Sequence, residues 1–112
     1  MDAKRLLSFL EQLHSHRVYR TSYVASALRE CGLDAEISAD GNAVIIGLDH
    51  LQVVEPEWGE PGISPRSLAA FAFRRVTGAE PHSDMIGRGF WLRDVLSQLR
   101  VALTSNEDPQ AV

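Results

Sequence analysis

Residues 43–54 read AVIIGLDHLQVV, and no other part of the chain is so dense in β-branched residues. Such side chains favour strands because their restricted χ1 rotamers suit a pleated surface. Asp49-His50 interrupts the apolar pattern and predicts a turn. We therefore predict one strand over residues 42–48 and another over residues 51–55, with the rest of the chain folding around them.

A further strand is predicted directly before this stretch. Residues 34–39 alternate between polar and apolar residue types, which is the pattern of a half-buried strand. Asp40-Gly41 follows, and this pair indicates a two-residue hairpin turn in which both central residues have positive φ angles. The three strands are expected to form an antiparallel meander.

Four segments show the three- and four-residue apolar spacing of amphipathic helices. They cover residues 2–16, 21–31, 64–77 and 89–104. Gly32 followed by Leu33 predicts a Schellman ending for the second helix, and Ser64-Pro65 predicts the start of the third. The predicted order is α-α-β-β-β-α-α. This is an α+β fold in which a three-stranded antiparallel β-meander packs against two pairs of α-helices.

The length of 112 residues and the hydrophobic fraction of 45% are those of one globular domain. We assign residues 1–104 to a single α+β domain and residues 105–112 to a flexible acidic tail. The first residues do not resemble a signal peptide, and no apolar run has the length of a membrane span. Cys31 is the only cysteine, which excludes an internal disulfide. We expect a small soluble protein, located in the cytoplasm, without a membrane partner.

Charged residues are segregated along the chain. Residues 30–65 contain eight acidic residues and no Lys or Arg, whereas residues 1–29 contain five basic residues and residues 66–104 contain six arginines. The acidic residues of the middle segment are Glu30, Asp34, Glu36, Asp40, Asp49, Glu55, Glu57 and Glu60. This distribution predicts one acidic surface, unless the arginines pair with these acids inside the same molecule.

The clearest candidate for a contact surface is the segment EPEWGEPGISP, residues 55–65. Its three prolines and two glycines exclude regular structure beyond a turn. Trp58 lies among Glu55, Glu57 and Glu60, and an aromatic side chain among carboxylates suits the docking of a basic partner protein. The alternative is that Trp58 folds back onto the sheet and the acids only keep the protein soluble.

The last helix and the loop before it carry a second, basic candidate surface. Arg88, Arg93 and Arg100 belong to it, and guanidinium groups favour bidentate contacts with carboxylate or phosphate groups. The alternative is a solvated face or internal salt bridges. Phe90 and Trp91 are successive aromatics at a helix start that cannot both enter one core, so a homodimer through this pair is also compatible with the sequence.

No catalytic or metal-binding motif is complete in the sequence. His14 and His16 are separated by about 200° on a helix, so they could share a metal only if the helix stops early and the segment is extended. Cys31 falls on an apolar helix stripe. The His-Ser-Asp sequence at residues 82–84 is not a triad, because a triad is defined by geometry in space. The Gly-Arg-Gly sequence at residues 87–89 is too short for a phosphate-binding loop. We predict no enzymatic activity, no metal and no cofactor.

These observations favour a small non-enzymatic protein-interaction module. It would act as an adaptor, regulator or inhibitor that binds a basic partner protein through its acidic sheet and loop surface. In one variant of this hypothesis the acidic face imitates a nucleic-acid backbone and blocks a DNA- or RNA-binding protein.

Two other interpretations remain open. In the first, helices 1 and 2 form a winged helix-turn-helix-like unit that binds nucleic acid, with Arg17, Arg20 and Arg29 on phosphates. The long predicted turn and the acidic wing count against it. In the second, a small enzyme uses a polar site at residues 82–88.

Overall fold

The computed structural model describes residues 1–14, 16–56, 58–80 and 91–107, and it describes the backbone alone at positions 91, 92 and 104–107. The helices are α1 (Ala3–Glu11), α2 (Thr21–Glu30), α3 (Pro65–Thr77) and α4 (Trp91–Glu107), and the strands are β1 (Ala35–Ile37), β2 (Ala43–Ile46) and β3 (Asp49–Gln52). The predicted α+β fold and element order are confirmed. α4 continues three residues beyond the predicted boundary at residue 104, and residues 108–112 of the predicted tail lie outside the described residues.

The sheet is an antiparallel meander in which β2 is the central strand. Val44 pairs with Ile37 on one side and with Leu51 on the other, which sets the register. One face of the sheet is buried under the helices, while Glu36 and His50 of the opposite face are exposed. The core lies between the helices and this buried face. Its largest fully buried side chains include Phe71, Leu6, Leu10, Leu28, Ile46 and Ile63.

The turn between β2 and β3 differs from the predicted one. Asp49 and His50 belong to β3, so the turn predicted there is wrong. Gly47 and Leu48 make the turn instead, and Gly47 has a φ of 61°. A glycine with positive φ at the first central position is the requirement of a type II′ hairpin turn, whose twist matches that of the flanking strands.

The loop between β1 and β2 is also longer than predicted. Only Gly41 has a positive φ there, at 76°, so the expected positive φ at Asp40 is wrong. The Asp40 carboxylate instead accepts hydrogen bonds from the Ser38 hydroxyl at 2.6 Å and from the Asn42 amide at 3.0 Å. These side-chain bonds close the loop in the manner of an Asx turn.

Most predicted helix ends are confirmed. Gly32 has a φ of 83°, and the Leu33 amide donates to the Leu28 carbonyl at 3.0 Å, which is the Schellman bond. Ser64 accepts from the Ser67 amide at 3.2 Å and caps α3.

α1 is shorter than predicted, since it ends at Glu11 and not at residue 16. The His14 amide donates to the Tyr19 hydroxyl at 2.9 Å. This contact takes the place of a further helical hydrogen bond and turns the chain towards α2. The connector formed by residues 12–20 therefore lies against the rest of the fold as an irregular segment.

Candidate functional site: the Trp58 loop

The loop of residues 55–61, which we call the Trp58 loop, is closed at its base by backbone hydrogen bonds. Val54 donates to the Gly62 carbonyl at 2.7 Å, and Gly62 donates back to Val54 at 3.0 Å. The next residue, Ile63, exchanges a similar pair with Tyr19 of the connector, at 2.9 and 2.7 Å. The base of the loop is thus tied both to the end of β3 and to the connector between α1 and α2.

Gly62 is required at this base by a close approach of two backbones. A Cβ atom at position 62 would lie 2.7 Å from the Tyr19 carbonyl oxygen and 2.9 Å from the Tyr19 nitrogen. These are backbone atoms that cannot rotate away. The adjacent Ile63 side chain is fully buried in the core. Close packing on both sides therefore fixes the point from which the loop projects.

The tip of the loop projects into solvent. Trp58 is 86% exposed, and Glu55 and Glu60 are also exposed. The alternative in which Trp58 folds back onto the sheet is therefore wrong. Glu57 lies outside the described residues.

A groove of about 340 Å³ separates the loop from the connector. The connector lines it with His16, Arg17, Val18 and Arg20, and the loop lines it with Pro56, Trp58, Glu60 and Pro61. Sequence reasoning missed this arrangement, because the basic connector and the acidic loop are far apart along the chain. The pairing of Tyr19 with Ile63 brings them together.

The charges on the two sides of the groove interact weakly. Arg20 and Glu60 approach to 3.8 Å, and each side chain is 80% exposed. Ion pairs of this kind contribute about 0–1 kcal/mol, because water screens them and both side chains lose conformational freedom. Arg17 lies over the Tyr19 ring, 5.9 Å from its centroid. A ligand can therefore exchange either partner of the Arg20–Glu60 pair at little cost.

Most other acids of residues 30–65 form no ion pair among the described residues. Apart from Glu60, the ion pairs seen among the described residues include only one other acid of this segment, Asp49, which lies 3.8 Å from Arg74. Hydrogen bonds from the Ser38 hydroxyl and then from the Asn42 amide hold the pKa of Asp40 below its ordinary value. The exposed acids of this segment without an ion pair in the described part of the chain are Glu30, Asp34, Glu36, Asp40 and Glu55.

The predicted basic contact residues lie on a different element. Arg93 is exposed on α4. Arg100, also on α4, pairs with Glu11 of α1 at 3.0 Å. Arg88 and Phe90 lie outside the described residues, as does the side chain of Trp91. The structure therefore brings together Glu55, Trp58 and Glu60 on one loop. The two described arginines of the predicted contact residues, Arg93 and Arg100, lie on α4 instead.

The candidate catalytic and metal-binding residues do not form a site in the described part of the chain. No group of three or more His, Cys, Asp or Glu side chains is close enough there to hold a metal ion. Cys31 is buried. Burial, and secondarily the nearby Asp2 carboxylate, raises the pKa of its thiol, which disfavours the thiolate that a nucleophilic cysteine needs. Residues 82–84 and 87–89 lie outside the described residues.

The first two helices differ from a helix-turn-helix in their spacing. α1 ends at Glu11 and α2 begins at Thr21, so nine residues separate them. Such motifs usually have turns of about three to four residues. Arg29, one of the arginines expected on phosphates, donates its Nε–H to the Ala35 carbonyl at 2.7 Å. That guanidinium therefore already has an intramolecular partner.

No protein-family model, curated protein or solved structure matches this chain. In the described part of the chain, no helix combines the length and the apolar character that crossing a membrane requires.

Proposed function

We propose that this chain is a protein-interaction module that binds a basic segment of a partner protein with the Trp58 loop. The observation that carries the proposal is an 86% exposed tryptophan on a loop whose base is fixed by four backbone hydrogen bonds. Tryptophan is strongly enriched among the residues that dominate binding energy at protein interfaces. A side chain held on an ordered support also loses less conformational entropy when it binds.

The charge near Trp58 favours a basic partner. Glu55 and Glu60 expose their carboxylates on the same loop, and the face of an indole ring attracts a cation within about 6 Å. A lysine or arginine of the partner would lie over Trp58 and replace Arg20 as the partner of Glu60. Because the Arg20–Glu60 pair is highly exposed, its replacement costs little.

A nucleic-acid ligand would use the same groove differently. Its bases would stack on Trp58, and its phosphates would meet Arg17 and Arg20. The acidic residues of the loop oppose this use, because they would repel phosphates. A basic peptide would displace Arg20 from Glu60, whereas a nucleic acid would contact Arg20 through a phosphate. Substitution of Arg20 should therefore affect the two ligand classes in opposite directions.

The first experiment removes the aromatic side chain. Binding of a fluorescent alternating glycine–arginine dodecapeptide is measured by anisotropy for the wild type and for Trp58→Ala. We expect the variant to bind at least about tenfold more weakly, while its unfolding free energy changes by less than about 0.5 kcal/mol because the side chain is exposed. Leu48→Ala, which truncates another fully exposed apolar side chain, is the control and should bind normally. Equal binding by wild type and Trp58→Ala would contradict the proposal.

The second experiment reads the sign of the charge effect. Arg20→Ala releases Glu60 from its pair, so it should tighten binding of the glycine–arginine peptide by about two- to fivefold. A single-stranded oligothymidine would instead lose affinity if it were the ligand. Arg5→Ala is the matched control, since Arg5 also forms an exposed pair, with Asp2 at 3.6 Å. Weaker peptide binding by Arg20→Ala, with strong oligothymidine binding by the wild type, would favour nucleic acid.

A further inference from the structure

The outer side of β3 has backbone groups without a partner among the described residues. The Val53 amide donates to Asn42 at 2.9 Å, on the side of β2, whereas the Val54 amide donates to Gly62 on the opposite side. Successive residues of an antiparallel strand direct their amide and carbonyl groups to alternate sides. The backbone groups of His50 and Gln52 therefore point to the same side as those of Val54, away from β2.

In the part of the chain that the structure describes, this outer side is closed at one end and open along the rest. Gly62 pairs with Val54 and lies where the first residue of a fourth strand would be. The chain then leaves that position at Ser64, which caps α3. Beside His50 and Gln52, no backbone partner is present among the described residues. An unpaired edge of this kind is a template for another extended chain.

A groove of about 420 Å³ lies between this edge and α3. His50, Gln52 and Val54 form its strand side, while Arg66, Ser67, Ala70 and Arg74 form its helix side. Ser67, Ala70 and Arg74 are spaced by three and four residues, so they share one face of α3. The two small side chains leave width beside the strand, and the arginines flank them.

We propose that this groove binds an extended, acidic peptide segment of a partner protein, which pairs with the backbone of β3 at His50 and Gln52. Backbone pairing would supply affinity, and the flanking side chains would supply selectivity, as in other cases of strand addition. Arg66 and Arg74 provide the positive charge that complements acidic residues of the peptide. Arg74 contacts Asp49 at 3.8 Å and Glu80 at 3.5 Å through partly or largely exposed groups, so these contacts can rearrange around a ligand.

A second copy of this chain fits the same edge less well. A two-fold pairing of β3 with β3 would place equivalent surfaces together. The arginine-lined faces of both α3 helices would then lie on one extended sheet, and like charges in close proximity oppose such an association. An acidic peptide meets the same arginines with the complementary charge.

The test follows the backbone amides directly by nuclear magnetic resonance. An octapeptide of alternating glutamate and valine is titrated into the full chain. We expect the His50 and Gln52 amides to shift downfield and to exchange at least about tenfold more slowly when bound. The matching lysine–valine octapeptide should bind at least about tenfold more weakly. No change at these amides at millimolar peptide, or equal binding of both peptides, would overturn the proposal.

Two variants separate backbone pairing from charge. His50→Pro removes an amide that points away from β2, so the fold should persist while the glutamate–valine peptide no longer binds. Arg66→Glu should weaken binding by at least about tenfold, whereas Arg75→Glu, on the same helix but outside the groove, should change it by less than about threefold. Normal binding by either His50→Pro or Arg66→Glu would overturn the proposal.

Two further measurements distinguish an acidic peptide from a second copy at the β3 edge, and this groove from the Trp58 loop. If raising the concentration of the protein alone protects the His50 and Gln52 amides, a second copy covers the edge and the peptide proposal is overturned. Trp58→Ala should leave binding of the glutamate–valine peptide unchanged, because Trp58 does not line this groove. Failure of this proposal is therefore distinguishable from failure of the Trp58 proposal.

Discussion

The two edges of the sheet contrast sharply. Along β1, the Arg29 guanidinium on α2 donates to the Ala35 carbonyl at 2.7 Å, so a side chain covers an outward backbone group. Along β3, Gly62 covers only Val54, and His50 and Gln52 remain without a backbone partner in the described part of the chain. Both edges belong to one small sheet, yet only one is covered by the helix beside it.

The difference follows from what comes next to each strand in the chain. α2 ends a few residues before β1 and lies beside it, so its last turn can supply Arg29. The segment after β3 must first form the Trp58 loop, and it makes one pair with Val54, just beyond β3, before Pro65 starts α3. An edge strand is therefore covered where a neighbouring helix has a hydrogen-bond donor within reach of its backbone. It stays open where the following chain turns away from the sheet.

The largest effect is expected at the closed end of β3. Ile63 is fully buried beside Gly62, so Ile63→Ala should lower the free energy of unfolding by about 3–4 kcal/mol through lost burial and a residual cavity. Urea unfolding followed by circular dichroism measures this. Val54→Ala truncates an exposed side chain on the residue that pairs with the neighbouring Gly62, and it should cost less than about half as much. Equal losses of unfolding free energy in the two variants would show that the buried Ile63 side chain is not what holds this end of the loop in place.

The next effect comes from adding a single methyl group at Gly62. Gly62→Ala places a Cβ atom against the Tyr19 backbone and should cost about 2–3 kcal/mol through overpacking. Gly59→Ala is the control, since Gly59 has a φ of 99° but open space around it. That control should cost only about 1–2 kcal/mol, from backbone strain. A larger loss for Gly59→Ala in the same urea series would refute the importance of the close approach.

A smaller effect is expected at the covered β1 edge. Arg29→Met keeps much of the aliphatic stem but removes the donor, which leaves the Ala35 carbonyl without that bond, at a cost of about 1–2 kcal/mol. Arg5→Met is the matched control, because its bond to the Glu30 carbonyl is longer, at 3.3 Å, and exposed. Thermal unfolding of both variants makes the comparison. If both lose the same stability, Arg29 does not specifically protect the edge.

At the open edge, little loss of stability is expected. His50→Pro removes only an outward amide and should lower the free energy of unfolding by less than about 1 kcal/mol, because edge strands tolerate proline at such positions. Leu51→Pro is the contrasting variant. Its amide faces β2 and its side chain is buried, so it should cost more than about 3 kcal/mol. A severe loss with His50→Pro would mean that this edge is not open.

The smallest effect concerns pH and the loop beside β1. The Ser38 hydroxyl and the Asn42 amide lower the pKa of Asp40 in the folded state. This carboxylate therefore stabilises the fold above the pKa of the unfolded chain, and that contribution is lost as pH falls through the folded pKa. Asp40→Asn should thus reduce the loss of stability on acidification, as measured by urea unfolding at neutral and acidic pH. Asp34→Asn is the control, and an equal effect from both variants would contradict the prediction.

Local signals in the sequence predicted much of the fold. The end at Gly32 and the start at Ser64-Pro65 depend on residues within one turn of each other, and the structure confirms them. The turn at Gly47 was missed because His50 next to an aspartate resembles a turn, whereas pairing with β2 places it in a strand. α1 was predicted too long because the apolar spacing continues to His14, whereas the His14 amide donates to the Tyr19 hydroxyl and not to a helical carbonyl.

The candidate site was predicted only in part. The composition of the Trp58 loop indicated a contact surface, but the sequence left two orientations of Trp58 open. It did not reveal that Arg17 and Arg20 line the same groove. Spacing along a chain carries information about neighbours on one element, and it carries little about segments joined across the core.

The sequence by itself determined the number, type and order of the helices and strands, because hydrophobic periodicity and capping residues act within a few positions. Only the tertiary structure decided which surfaces remain for a partner. The pairing of Tyr19 with Ile63, the exposure of Trp58 and the open edge at His50 and Gln52 depend on how the whole core packs. They follow from satisfying buried apolar surface and backbone hydrogen bonds at the same time, over contacts distant in the chain.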